Sequence, residues 1–354
     1  MEKIKVFIAD DNNFFRKILK LVLLKYPEFS VIGESDNGID AYENIMRVTP
    51  DIVLLDNEMP GKNGIDVLKD LKIHKLACQT IMISAKDKSD KNVDLTINCL
   101  MEGAFDFIRK PKSISFEDNV KELEETLIIK MRLAQSKNLL KNKISKLPPS
   151  LKKTIAVKVK FQLPIKLVAI GISTGGPGAL ETLLKMMPPG FEVPIVIIQH
   201  MPPNFTLSLA KRLNSVCTLN VQELNEGTVL KKRNVYIAPG GKHTILRKSP
   251  LTNEFFFSFK DIPPVNHCKP SVDVFYFSLC NHTNNDMIAL IMTGMGNDGV
   301  NGLKNLKEKK AYIIAQDEET STVWGMPGAA VEAGVTDEVL PLDKIAGRLD
   351  ELCG

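Results

Sequence analysis

The chain has 354 residues, of which 44% are hydrophobic and 25% charged, with a formal net charge of +4 at pH 7. This length exceeds one ordinary core, so two domains of a soluble globular protein are expected. No apolar run approaches ~20 residues, which excludes a spanning helix. The basic balance is local: ten Lys and Arg and no acidic residue lie from Lys130 to Lys160, and without them the net charge is −6, so the chain is not a nucleic-acid binder as a whole.

The opening residues, MEKIKVFIADD, read as a strand and not a signal peptide, because the apolar run is short and broken by charge. Strands and helices then alternate. Strands are expected at Lys5–Ala9, Val31–Gly33, Asp51–Leu55, Thr80–Ser84 and Asp106–Ile108, and helices at Phe14–Leu24, Ala41–Arg47, Ile65–Leu71 and Asn92–Glu102. Successive βα units of this kind form a parallel sheet with helices on both faces.

Such a sheet binds ligands at the carboxyl ends of its strands, and there Asp10, Asp11, Asp56, Ser84 and Lys110 gather. Three adjacent carboxylates repel one another, and a hard divalent cation such as Mg²⁺ relieves that. With the metal bound, Asp56 becomes a nucleophile toward a phosphoryl group, Lys110 a point charge for the product and Ser84 a hydroxyl donor.

Asp10-Asp11, Asp56 with Met59-Pro60, Ser84-Ala85 and Lys110-Pro111 resemble the receiver domain of bacterial two-component response regulators over about 117 residues. The resemblance implies a flavodoxin-like five-stranded sheet and phosphorylation of Asp56 by a histidine kinase. It also implies Mg²⁺ held by Asp10, Asp11 and Asp56, and a switch formed by Ser84, Phe107 and Lys110.

From Glu117 to Leu147 one helical pattern continues, and Pro148-Pro149 stops it. The Lys-rich run beyond has too few apolar residues for a core and reads as a solvated linker, or as a surface drawn to an acidic partner or anionic lipid. Residues 118–163 are therefore a basic connector between domains at 1–117 and 164–354.

Leu167–Ile172 is a fully apolar strand, followed by Ser173-Thr174-Gly175-Gly176-Pro177-Gly178 and then Leu180, Leu183, Leu184 and Met187 at helical spacing. This strand–turn–helix holds one hydroxyl beside the positive end of a helix. Gly171-Ile172-Ser173-Thr174-Gly175 fits the G-x-S-x-G elbow of a serine nucleophile, and equally a glycine turn that binds phosphate or nothing.

The strand Ile195–Ile198 ends at Gln199-His200, and Met287–Met292 ends at Thr293-Gly294-Met295-Gly296-Asn297-Asp298-Gly299. Alone, His200 is a loop histidine and Asp298 a turn aspartate. Together at the edge that carries Ser173, they read as base and orienter of a triad. The chain order, Ser, His, Asp, differs from the α/β-hydrolase order, so that fold is not inferred.

Val235–Ala238 and Thr244–Leu246, joined through Gly240-Gly241, read as a β-hairpin. Tyr312–Ala315 is a further strand, and its following loop, with the only Trp at Trp324, reaches the same edge. The six cysteines form no C-x-x-C pair, so reduced thiols and no zinc site are expected.

The segments around Ser173, Gln199-His200-Met201-Pro202, Pro270-Ser271-Val272-Asp273, Thr293–Gly299 and Ala315–Glu318 look like the CheB-type methylesterase family over about 190 residues. The resemblance implies a doubly wound α/β esterase domain with Ser173, His200 and Asp298 catalytic, the Met295 N–H in the oxyanion hole and Thr174 auxiliary, and no cofactor for hydrolysis. It implies a cytoplasmic chemotaxis protein-glutamate methylesterase and glutamine deamidase. Its substrates are chemoreceptor side chains and its phosphodonor is a chemotaxis kinase, with no nucleic acid and no membrane insertion. The unphosphorylated receiver would block the catalytic edge.

Overall fold

Short apolar runs closed by polar turns become buried parallel strands in both halves of the chain. The computed structural model describes residues 3–84, 90–111, 115–144, 164–282 and 286–354, and the chain divides into Met1–Leu151 and Lys152–Gly354. Ala85, Leu147, Pro148-Pro149 and the basic residues from Lys146 to Lys160 lie outside the described residues.

In the first unit the order is β1 (Ile4–Ala9), α1 (Asn13–Leu24), β2 (Phe29–Ser35), α2 (Gly38–Val48), β3 (Ile52–Asp56), α3 (Gly64–Ile73), β4 (Gln79–Ser84), α4 (Asp90–Glu102), β5 (Asp106–Arg109) and α5 (Phe116–Ile144). The strands form one parallel sheet in the order β2-β1-β3-β4-β5. Asn12, Asn37 and Asn63 cap α1, α2 and α3 by accepting backbone N–H groups of the first turn. All five residues of β3 are buried, which sets Asp56 at the end of a central strand.

The second unit runs β6 (Leu167–Ile172), α6 (Gly176–Met186), β7 (Ile195–Gln199), α7 (Phe205–Val216), β8 (Asn220–Glu223), β9 (Asn234–Ile237), β10 (His243–Lys248) and β11 (Phe255–Lys260). It continues α8 (Val272–Leu279), β12 (Met287–Ile291), α9 (Val300–Glu308), β13 (Tyr312–Gln316), α10 (Met326–Glu332), β14 (Glu338–Leu340) and α11 (Leu342–Cys353). Seven parallel strands lie in the order β14-β13-β12-β6-β7-β9-β8. After β6 the chain builds outward through β7, and later returns to the other side of β6 through β12. The switch point therefore falls at β6, and β12, β6 and β7 are adjacent. One side of this sheet packs Leu167, Ala169, Val196, Met287, Ala289 and Ile313 against Phe275, Tyr276 and Leu303 of the covering helices.

The expected hairpin of Val235–Ala238 with Thr244–Leu246 does not form. β9 joins the parallel sheet between β7 and β8, while β10 pairs antiparallel with β11 in a separate two-stranded sheet. The phenylalanine-rich run Phe255–Lys260 pairs with β10 along all six of its residues, and Gly240-Gly241 turns a corner between sheets. Gly240 packs directly on the Pro202 backbone, where a Cβ would come within 2.4 Å. No helix among the described residues is long and apolar enough to cross a membrane.

Candidate active site

Ser173, His200 and Asp298 follow β6, β7 and β12, three neighbouring strands, and so emerge side by side. The Ser173 N–H donates to Thr293 O at 2.9 Å, and the His200 N–H to Ile172 O at 3.1 Å. Gly294 lies flat against the nucleophile: a Cβ there would sit 2.7 Å from Ser173 Cβ. The buried Gln199 amide donates to Ser173 O at 2.9 Å. Gly175, two residues after the serine and at φ +77, is the N-cap of α6.

His200 Nε2 meets Asp298 Oδ2 at 2.8 Å. With Nε2–H donated to the carboxylate, Nδ1 is the nitrogen with a lone pair for a proton. Among the described residues its hydrogen-bonding neighbour is Cys268 Sγ, at 3.5 Å. The assignment of the two nitrogens is the reverse of that in the serine protease triad, but the roles are the same. Among the described residues, no hydrogen bond joins Ser173 Oγ to His200.

Asp298 is buried and held from every side. Val272 N–H donates to Oδ2 at 2.6 Å, and Oδ1 accepts from Asn266 Nδ2 at 2.7 Å, Ser271 Oγ at 2.8 Å and Asp273 N–H at 3.3 Å. Ser271 is the N-cap of α8, so the carboxylate sits on a helix N-terminus. Burial works to raise its pKa, but the bond to His200 and these donors outweigh it and hold the acid below its ordinary value. Burial likewise pulls the His200 pKa down, and the bonds to Asp298 and Cys268 reverse this and lift it to about 9.

Thr174 lends its carbonyl to the Thr293 hydroxyl at 2.9 Å. Met295 is 42% exposed at the rim, and its backbone N–H has no hydrogen-bond partner among the described residues. The Trp324 loop does reach this edge. Val323 N–H donates to Thr293 Oγ1 and Gly294 N–H to Val323 O, and Thr322 packs on Gly175.

Three neighbours of the triad, Asn266, Cys268 and Ser271, and His243 behind the Ser271 N–H, have no site role in the sequence expectations. Asn266 and His267 both adopt left-handed φ, +52 and +61, in a tight turn closed by reciprocal backbone bonds between Val265 and Cys268. Asn266 also donates to Asp273 Oδ2 at 2.9 Å. The available signals were Asn at a turn position and Ser271 two residues before Asp273 at a helix start.

In the first unit, Asp10, Asp56, Ser84 and Lys110 are brought to one strand edge, with Asp11 exposed beside them. Lys110 Nζ reaches Asp56 Oδ2 at 2.7 Å and Asp10 Oδ2 at 2.8 Å. Burial and the adjacent Asp10 push the Asp56 carboxyl up to about 7, against the pull of Lys110. Burial also raises Asp10. Ser84 Oγ accepts from Thr96 Oγ1 at 3.0 Å. Phe107 is buried in β5, with Lys130 Nζ 5.3 Å from its ring centre. Oxygens of Asp10, Asp11 and Asp56 lie within 4.8 Å of one another, a hard donor set that fits Mg²⁺.

Two family models match the chain: the response regulator receiver domain over residues 6–120 and the CheB methylesterase over residues 168–349. The protein-glutamate methylesterase/protein-glutamine glutaminase of Geobacillus kaustophilus is 39% identical over 355 residues, covering 100% of both chains. The protein of the same name from Pyrococcus horikoshii is 39% identical over 97% of this chain and 92% of its own. The crystal structure of the Thermotoga maritima CheB methylesterase catalytic domain is 41% identical, with a TM-score of 0.52, over 54% of this chain and 100% of that one. The chain belongs to the CheB methylesterase family and carries a response regulator receiver domain ahead of the esterase domain.

Proposed function

We propose that this protein hydrolyses methyl esters of glutamyl side chains, and amides of glutaminyl side chains, on chemoreceptors, with Ser173 as nucleophile. The observation that carries the reading is the 2.8 Å bond from His200 to Asp298, formed at the ends of the strands flanking the one that ends at Ser173. Ser173 Oγ attacks the side-chain carbonyl carbon and His200 Nδ1 takes its proton. Asp298 fixes the tautomer through Nε2–H and stabilises the imidazolium. The unpaired Met295 N–H donates to the developing oxyanion, a contact worth roughly 10²–10³ in rate, with Thr174 an auxiliary polar group. Methanol, or ammonia from an amide, leaves with the proton from His200. Water, deprotonated by the same nitrogen, then releases glutamate and restores Ser173.

The receiver controls this reaction. Asp56 accepts a phosphoryl group from a chemotaxis histidine kinase, Lys110 pairs with the product, and Ser84 and Phe107 carry the switch. Asp10, Asp11 and Asp56 would hold Mg²⁺, which would neutralise carboxylate and phosphoryl oxygens together. Phosphorylation of the receiver raises the activity of the esterase domain by a shift in population. We assign the receiver to 1–117, a basic connector to 118–163 and the esterase to 164–354, in a cytoplasmic protein. The matched spans, 6–120 and 168–349, support these limits.

The test is methanol release from methylated chemoreceptor membranes, with and without acetyl phosphate. Ser173→Ala abolishes release while the fold persists; retained turnover refutes the assignment. Asp56→Asn abolishes stimulation by acetyl phosphate but not basal release.

A further inference from the structure

We infer that Cys268 and His200 form a binding site for a thiophilic divalent cation of the zinc class, and that its occupation shuts off the esterase. The inference rests on His200 acting as the base, as proposed above. The donor atoms of Cys268, His200 and Asp298 lie within 4.8 Å of one another. Cys268 Sγ and His200 Nδ1 are 3.5 Å apart. On a tetrahedral zinc, a sulfur at ~2.3 Å and a nitrogen at ~2.0 Å are separated by about 3.5 Å. The pair is therefore already spaced as two ligands of one ion.

Asp298 completes the site from behind. Its carboxylate binds His200 on the opposite ring nitrogen, Nε2, at 2.8 Å. A metal-ligating histidine takes just this support, a carboxylate on its second nitrogen that fixes ring and tautomer. Asn266, Ser271, Val272 and Asp273 hold Asp298 in that place, so it supports the ring and does not join the ion. Cys268 is itself fixed by the reciprocal backbone bonds that close its turn onto Val265. It is half-buried, so an ion has access from solvent, and the remaining positions fall to water.

The spacing of cysteines along the chain predicts no zinc site, because both ligands come from single residues far apart in sequence. A thiolate and an imidazole select zinc over magnesium. The ion binds through the Nδ1 lone pair, the same lone pair that accepts the Ser173 proton, so loading and catalysis exclude each other. The carboxylates of Asp10, Asp11 and Asp56 form a separate, oxygen-only site suited to the harder ion.

The experiment uses the full chain without a phosphodonor, so the receiver carboxylates are not what is read. Zinc chloride is titrated against basal methanol release, and EDTA is added at the end. Zinc inhibits, EDTA restores the rate, magnesium at the same concentrations does not inhibit, and Cys268→Ser raises the zinc concentration for half-inhibition at least tenfold. Equal sensitivity in Cys268→Ser, or no inhibition of the parent chain, overturns the inference. A second readout needs no turnover: cobalt(II) added to the parent chain gives a thiolate-to-metal charge-transfer absorption, which Cys268→Ser abolishes and His200→Gln weakens. If that absorption is missing, or survives in Cys268→Ser, no such site exists. A Ser173→Ala variant that still released methanol would undo the catalytic reading alone, while the cobalt spectrum would still decide the metal site.

Discussion

His243 Nδ1 accepts the backbone N–H of Ser271 at 3.2 Å, and Ser271 in turn donates its hydroxyl to Asp298. His243 Nε2 faces Pro263 O at 3.1 Å, so the buried ring is neutral, with one nitrogen accepting and the other donating. Burial holds its pKa below the ordinary value. The unfolded chain therefore binds this proton at a higher pH than the folded one. Stability is intact above the unfolded pKa of about 6.5 and is lost as pH falls toward the folded value. Unfolding by urea, followed through the single tryptophan, Trp324, should show esterase-domain stability dropping as pH falls below about 6.5. His243→Gln, which keeps an acceptor and a donor but does not titrate, should flatten that limb. An unchanged slope would mean other groups set it.

The lifted His200 pKa carries an activity prediction. The base must be neutral to take the Ser173 proton, so kcat/KM should rise with pH up to a limb near 9. Asp298→Asn removes the main support of the charged ring and disturbs the tautomer, which costs about 10⁴ in rate in a comparable triad. The limb should then move down toward ~6.5 while the plateau falls by roughly 10³–10⁴. Methanol release measured across pH 6–10 separates the two effects. A depressed plateau with the limb still near 9 would show that Asp298 does not set the base.

Much of this site is legible because each triad residue follows a wholly apolar run, Ser173 directly, His200 after Gln199 and Asp298 after the glycine turn from Thr293. Leu167–Ile172, Ile195–Ile198 and Met287–Met292 are buried on both faces, so they stand out from their surroundings, and a parallel sheet delivers their last residues to one edge. β8 and β14 carry little signal because they are strands of four and three residues at the two edges of the sheet, mixed in polarity. The pairing of β9 departs from the expected hairpin because a four-residue strand before two glycines resembles half a hairpin, and which partner it takes is decided by distant residues. Asn266 and Cys268 sit in a left-handed turn with no periodicity, and nothing local in Val265–Cys268 says that the turn lies against His200.

Asp56 stores electrostatic strain that its replacement should release. Its carboxyl is buried against Asp10, and above about pH 7 Lys110 is the cation among the described residues that pairs with both carboxylates. A carboxyl whose folded pKa is raised weakens the fold once it ionises. Asp56→Asn should therefore slow hydrogen exchange in β1 and β3 at pH 8 without magnesium, relative to the parent chain. Adding magnesium to the parent should close most of the gap, because the cation offsets the same repulsion. Faster exchange in the variant would show that Lys110 already satisfies both carboxylates.

Gly294 separates packing from chemistry at the nucleophile. A Cβ there would come 2.7 Å from Ser173 Cβ and 2.4 Å from Met326 Sδ. Neither neighbour yields easily: Met326 is fully buried, and the Ser173 N–H is tied to Thr293 O. Crowding of this kind costs about 1–3 kcal/mol. A shift of Ser173 by as much as an ångström away from His200 costs up to ~10²-fold in rate. Gly294→Ala should thus lower kcat for methanol release by one to two orders of magnitude with a modest fall in the urea midpoint read at Trp324. Gly33→Ala is the control: its Cβ meets Phe7 at 2.7 Å in the receiver, a comparable clash, and basal release should not change. If Gly294→Ala lost stability yet kept the parent kcat, the close approach at Gly294 would be packing alone and Ser173 would take its position from β6 and α6.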